Sequence, residues 1–113
     1  MTDAKNFGSV RSFGFRAPRV STSFSFSLEV SETGERYEAE CTDISEDGLA
    51  ADLLKPLAPK TQVTIRMLLP GGTRPLQIGG SVEYSKGRHC GLNFLYSSVE
   101  ERKQIQKFVR SIS

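Results

Sequence analysis

Residues 20–30 read VSTSFSFSLEV, and this stretch decides the fold class. Val20, Phe24, Phe26, Leu28 and Val30 fall on one parity, while Ser21, Ser23, Ser25, Ser27 and Glu29 fall on the other. Successive side chains of an extended backbone point to opposite faces, so a period of two means a β-strand with one face buried and one wet. Working outward, Glu32-Thr33-Gly34 supplies a turn, and Tyr37, Ala39 and Cys41 then alternate with Glu38, Glu40 and Thr42. This second strand pairs with the first as a hairpin. Leu49, Ala51 and Leu53 form the inward face of a third strand, which Lys55-Pro56-Leu57-Ala58-Pro59 ends because proline cannot donate to a central ladder. Val63, Ile65 and Met67 define a fourth, closed by Pro70-Gly71-Gly72. Leu76, Ile78, Gly80, Val82 and Tyr84 carry the fifth, in which Gly79-Gly80 reads as a bulge or sharp bend. After a Lys86-Gly87 turn, Cys90, Leu92 and Phe94 mark the last strand. Short strands at this regular spacing predict a sandwich or a small barrel.

The end of the chain changes period. Ser98-Val99-Glu100-Glu101 has the form of a capping box, and Ile105, Phe108, Val109 and Ile112 follow at helical spacing. One amphipathic helix over 98–112 is expected, its apolar stripe laid on the open end of a barrel. Residues 1–14, with Gly8, Gly14 and scattered apolar positions, read as a flexible arm preceding a domain over 15–113.

Length and composition bound the function. A chain of 113 residues is one domain's worth. No apolar run is long enough to span a membrane, and the first fifteen positions lack the apolar core of a signal peptide, so a cytoplasmic protein without membrane insertion is expected. Cys41 and Cys90 have neither zinc-ligand nor redox spacing and read as buried thiols. Net charge is only +2, but it is segregated: residues 1–20 carry +3 and residues 29–53 carry −8. So small a net charge, with an acidic segment inside the sheet, argues against a general nucleic-acid binder.

Two segments stand out as candidate binding elements. Asp43-Ile44-Ser45-Glu46-Asp47-Gly48 lies between two strands, where Asp and Ser side chains bond to turn backbone or to a ligand and glycine permits close approach. Phe15-Arg16-Ala17-Pro18-Arg19-Val20 precedes the first strand, its proline stiffening a segment that presents two guanidinium groups. Taken singly, the first is an ordinary hairpin turn and the second an ion-paired surface segment.

Together, a guanidinium-bearing segment followed by D-x-S-x-x-G resembles the signature of the PilZ family, and the strand order and C-terminal helix extend that resemblance over nearly the whole chain. The resemblance implies an all-β fold, a six-stranded antiparallel barrel with one C-terminal α-helix, and a receptor for the second messenger cyclic di-GMP with no further cofactor. Asp43, Ser45 and Gly48 match the second family motif in full. The first motif, R-x-x-x-R, is altered: with Arg19 in the second arginine position, Phe15 stands in the first, Arg16 one residue later and Arg11 four residues earlier. By this resemblance Arg11, Arg16 and Arg19 would clamp phosphates and guanine edges, Asp43 would accept from a guanine, Ser45 would add a hydroxyl contact, and Gly48 would leave room for the ligand. An unidentified downstream protein would receive the signal. The alternative is an adaptor that has lost the ligand and acts by protein contacts, using Phe7, Phe13 and Phe15 as a patch.

Other classes fit less well. The single histidine, His89, precedes Cys90 on a strand, where neighbours point to opposite faces, so a Cys–His couple is disfavoured. The carboxylates of residues 29–53 look like the wet face of a sheet. No glycine-rich phosphate loop leads into a helix. The reading is therefore of a binding module without catalytic activity.

Overall fold

In the computed structural model, which describes residues 17–113, the alternation of residues 20–30 becomes strand β1 (Val20–Val30). It is followed by β2 (Arg36–Ile44), β3 (Gly48–Leu53), β4 (Gln62–Met67), β5 (Leu76–Lys86), β6 (His89–Leu95) and α1 (Val99–Ile112). The strands close into an antiparallel barrel in the order β1-β2-β3-β6-β5-β4. This is the six-stranded barrel with one C-terminal helix that the resemblance implied. Hairpins make most of the wall, but closure depends on two pairings between strands distant in sequence. These are β1 with β4, from Ser27↔Arg66 to Val30↔Val63, and β3 with β6, from Gly48↔Asn93 to Asp52↔His89. The expected arm over 1–14, and Phe15 and Arg16 beside it, lie outside the described residues.

Phe26, Leu28, Cys41, Leu49, Ile65, Val82 and Leu92 fill the interior. Cys41 and Cys90 are free and buried, as expected. Burial pushes the Cys41 thiol up to about 12 and the Cys90 thiol up to about 11, which keeps both in the unreactive protonated form.

Two expectations for the fifth strand need correction. Gly79-Gly80 is not a bulge: the β4–β5 ladder runs unbroken from Gln62↔Ser81 to Met67↔Leu76. Gly80 is instead a matter of space, since a Cβ there would lie 2.9 Å from Ile65 Cδ1 and 3.1 Å from the Asn93 carbonyl oxygen. The irregularity falls between Val82 and Tyr84. It ends the alternation, so Tyr84 does not face the core. Its ring lies over Gly91, where an added Cβ would meet Tyr84 Cε2 at 2.2 Å.

The register sorts the connections between the two ends of the barrel. The pairs Val20↔Ile44, Leu49↔Ile44, Gly48↔Asn93, Gly79↔Leu95 and Met67↔Leu76 put the starts of β1, β3 and β5 beside the ends of β2, β4 and β6. Helix α1 covers this end. Ile105 is fully buried, and the Phe108 ring stands edge-on to Phe24 with centroids 6.0 Å apart. Ser98 caps the helix by accepting from the Glu101 N–H at 3.2 Å. Glu101 reaches back to the Ser97 N–H at 2.8 Å, one residue earlier than a capping box requires.

Candidate functional site

The candidate site is created by a change of phase in β2. Strict alternation from Ala39 and Cys41 would turn Asp43 into the core and Ile44 out. The β2–β3 register shifts between Cys41 and Asp43, and the β1–β2 register shifts beside it between Ser21 and Phe24. An extra residue re-aims the side chains that follow it. Cys41 and Ile44, three positions apart, are therefore both fully buried, while Asp43 comes to the surface. Thr42 stabilises the irregular segment by donating to the Ala50 carbonyl at 3.3 Å.

Asp43 meets Arg19 there. The guanidinium Nε donates to Asp43 Oδ1 at 2.8 Å and Nη2 lies 2.7 Å from the same oxygen. The two residues are 24 positions apart in sequence, so the fold brings the two candidate segments together. Both side chains are more than a third, or close to a third, exposed at 39% and 33%. A pair this open to solvent contributes only ~0–1 kcal/mol and is readily exchanged for another partner.

The other two motif residues make contacts within the fold. Ser45 is 1% exposed. Its hydroxyl accepts from the Asp47 N–H at 3.1 Å and faces the Gly48 carbonyl at 3.5 Å, while its own N–H donates to that carbonyl at 2.8 Å. The hydroxyl thus serves the turn. Gly48 leaves room for the β6 backbone: a Cβ there would sit 2.0 Å from the Leu92 carbonyl oxygen. Arg11 and Arg16 lie outside the described residues.

Sequence reasoning missed a second set of contacts on the same turn. Glu46 is gripped by α1, its carboxylate accepting from Gln106 Nε2 at 2.9 Å and from Arg102 Nη2 at 3.3 Å. The Gln106 amide, followed by the Arg102 guanidinium, holds the Glu46 carboxyl below its ordinary value against the opposing effect of partial burial. The Tyr96 hydroxyl donates to the Glu46 carbonyl, and the Arg102 guanidinium lies 5.8 Å from the centre of the Tyr96 ring. The Phe94 N–H donates to the Asp47 carbonyl at 2.8 Å. The only available signal was Arg102 and Gln106 at i,i+4 spacing on the polar side of the helix, which by itself names no partner.

His89 is a surface residue. Its Nδ1 is 2.8 Å from Asp52 Oδ1, on the face opposite buried Cys90. The carboxylates of β2 form the wet face expected of them, with Ser23 and Ser25 both donating to Glu40. No helix among the described residues is long and apolar enough to cross a membrane.

The PilZ domain model matches residues 14–111, nearly the whole chain. The chain belongs to the PilZ family. This is a family of cyclic di-GMP receptors. Among solved structures, the PilZ domain of CeSA from a cellulose-synthesizing bacterium superposes with a TM-score of 0.66 at 14% identity, over 85% of this chain and 95% of that one. The complex of K. pneumonia MrkH with c-di-GMP gives 0.70 at 19% identity, over 90% of this chain and 52% of that one. MrkH in its apo state gives 0.69 at 18%, over 91% and 50%. The PilZ chain described here therefore spans about half the length of MrkH, and at these identities the likeness is one of fold. No curated protein sequence matches.

Proposed function

We propose that this chain is a non-catalytic receptor for cyclic di-GMP that reports occupancy of its site to a separate protein. The observation that carries the reading is the Arg19–Asp43 pair, in which the arginine segment and the signature turn meet at the barrel surface. The ligand is a dianion bearing two guanine bases. A guanidinium bridges phosphate oxygens or the O6/N7 edge of guanine, and a carboxylate accepts from guanine N–H groups. On binding, Arg19 exchanges Asp43 for phosphate or guanine, and Asp43 becomes free to accept from a base. Arg16 and Arg11 are proposed as further cationic contacts from the preceding segment. Ser45 and Gly48 act by fixing the turn from which Asp43 projects. The grip of Gln106 and Arg102 on Glu46 gives the turn a direct link to α1, so a turn that shifts on binding moves the helix with it.

Calorimetric titration of cyclic di-GMP into the wild-type chain and into Arg19→Ala tests the reading. Micromolar or tighter binding is expected, weakened about ten- to a hundredfold by the substitution, since one bidentate arginine contact is worth about 1–3 kcal/mol. Absence of heat at high ligand concentration would move the assignment to an adaptor working by protein contacts. Phe15, in the first arginine position, is the observation favouring that second reading.

A further inference from the structure

We infer that the groove between α1 and the β4–β5 loop, residues 68–75, is a docking site for an acidic segment of a partner protein that carries an apolar anchor. The groove has a volume of about 680 Å³. That is the size at which a protein surface encloses a few side chains rather than skimming a flat partner. Leu69, Leu76 and Phe108, core residues that leave only 9%, 8% and 7% of their surface exposed, form its apolar floor, and Arg74, Lys103 and Lys107 line it with positive charge against the single carboxylate of Glu100. All three cations are exposed, and none has a carboxylate partner among the described residues. The loop wall is shaped by Gly71, whose φ of +83° belongs to the left-handed region, and by the Gly72 N–H donating to the Leu69 carbonyl at 2.8 Å.

Charge selects the occupant. Residues 1–16 of this chain carry Lys5, Arg11 and Arg16 against Asp3, so their net charge has the same sign as the groove and does not complement it. The acidic residues Glu38, Glu40 and Asp52 of a second copy do not protrude: they line a concavity of their own on the barrel wall, so they do not fill this one. A small anion would leave the apolar floor unused. A short acidic stretch with one or two large apolar side chains satisfies both the charge and the floor.

The site is also well placed to report on the signature turn. Lys103 and Lys107 form one i,i+4 stripe of α1, and Arg102 and Gln106, which hold Glu46, form the adjacent stripe. A helix displaced by the turn would alter the groove. This inference extends the partner half of the receptor reading and rests on it only for that coupling, because docking itself needs no cyclic di-GMP.

A random dodecapeptide library displayed on phage, selected against the wild-type chain without nucleotide, tests it. Enriched sequences are expected to place Leu or Phe among Asp and Glu. A synthetic peptide of the enriched sequence should bind at least about tenfold more weakly to Lys103→Glu/Lys107→Glu, and to Arg74→Glu on the opposite wall, in fluorescence anisotropy. Circular dichroism of these exposed-residue variants checks that the barrel is retained. Failure to enrich any sequence, equal binding to the charge-reversed variants, or equal binding of an all-acidic peptide lacking apolar residues would each overturn the proposal. Calorimetry with cyclic di-GMP on the same samples reads the receptor function independently, so the two failures are distinguishable.

Discussion

Two of the turns that join consecutive strands of this barrel are built on opposite principles. The β1–β2 turn around Glu32-Thr33-Gly34 sits at the far end from the helix. Apart from the Ser31 N–H, which donates to the Gln62 carbonyl at 2.9 Å, it is closed by short-range bonds: Val30 N–H to Glu35 O and Gly34 N–H to Val30 O, both at 2.8 Å, and Glu35 N–H to the Thr33 hydroxyl at 3.2 Å. Its glycine is required by conformation, since Gly34 has a φ of +77° and a Cβ there would meet nothing within 4 Å. The β2–β3 turn around Ser45 is held from outside as well as inside, by Tyr96, Arg102, Gln106 and the β6 backbone. Its glycine is required by space. A connector needs only to reverse the chain, whereas a turn that presents Asp43 must also be fixed against the rest of the molecule.

The largest expected effect follows from that contrast. Gly48→Ala drives a Cβ into the Leu92 carbonyl at 2.0 Å, so the β3–β6 seam must separate. A loss of about 3 kcal/mol or more is expected, lowering the melting temperature by about 12 °C or more for a domain of this size. Tyr96→Phe comes next. It deprives the Glu46 carbonyl of a partly buried donor while keeping the ring against Phe94, and should cost about 1–2 kcal/mol in urea unfolding. Gly34→Ala forces an L-residue into the left-handed region with no clash, for about 1 kcal/mol. If it destabilises as much as Gly48→Ala, the distinction between the turns fails.

The smallest effect is in pH dependence. The Glu46 carboxyl is held below the unfolded carboxylate value of about 4.3, so its contribution is complete above that value and is lost as pH falls through the lower folded one. Wild type should therefore lose stability on acidification below about pH 4.3 more steeply than Glu46→Gln, measured by thermal melts across the acid range. Identical pH profiles would remove the electrostatic part of the helix–turn link.

The strands were legible because Phe26, Leu28, Val63, Ile65, Leu92 and Phe94 alternate without interruption, and burial of one face is a local property of sequence. The helix was legible for the same reason, through Ile105 and Phe108. The contacts that Ser45 and Gly48 make within the fold were not, because Gly48 answers to Leu92, a residue reached only through the β3–β6 pairing. Glu46 was hidden because an acidic residue in a turn ordinarily faces water, and only the position of α1 gives it partners. The outward turn of Asp43 depends on a bulge whose one trace in the sequence is that Cys41 and Ile44, both apolar, stand three positions apart. Gly79-Gly80 shows the converse, a glycine pair that suggests a bend and instead makes room for Ile65.

Closure of the sheet restricts how anything can bind to this protein. Among the described residues each strand has a hydrogen-bonded neighbour on both sides along part or all of its length, so most of the wall offers no rim of peptide N–H and C=O groups along which a foreign strand could add itself; residues 20–26 of β1, which β4 does not reach, are an exception. Recognition by main-chain templating, which reads partners with little regard to sequence, is unavailable wherever the strands are paired on both sides. A partner must instead be read through side chains, loops or the helix, where a single change of charge is enough to alter its choice. The same closure denies misfolded neighbours a template, so the barrel wall should resist seeded aggregation even where Leu54 and Leu95 are left facing solvent.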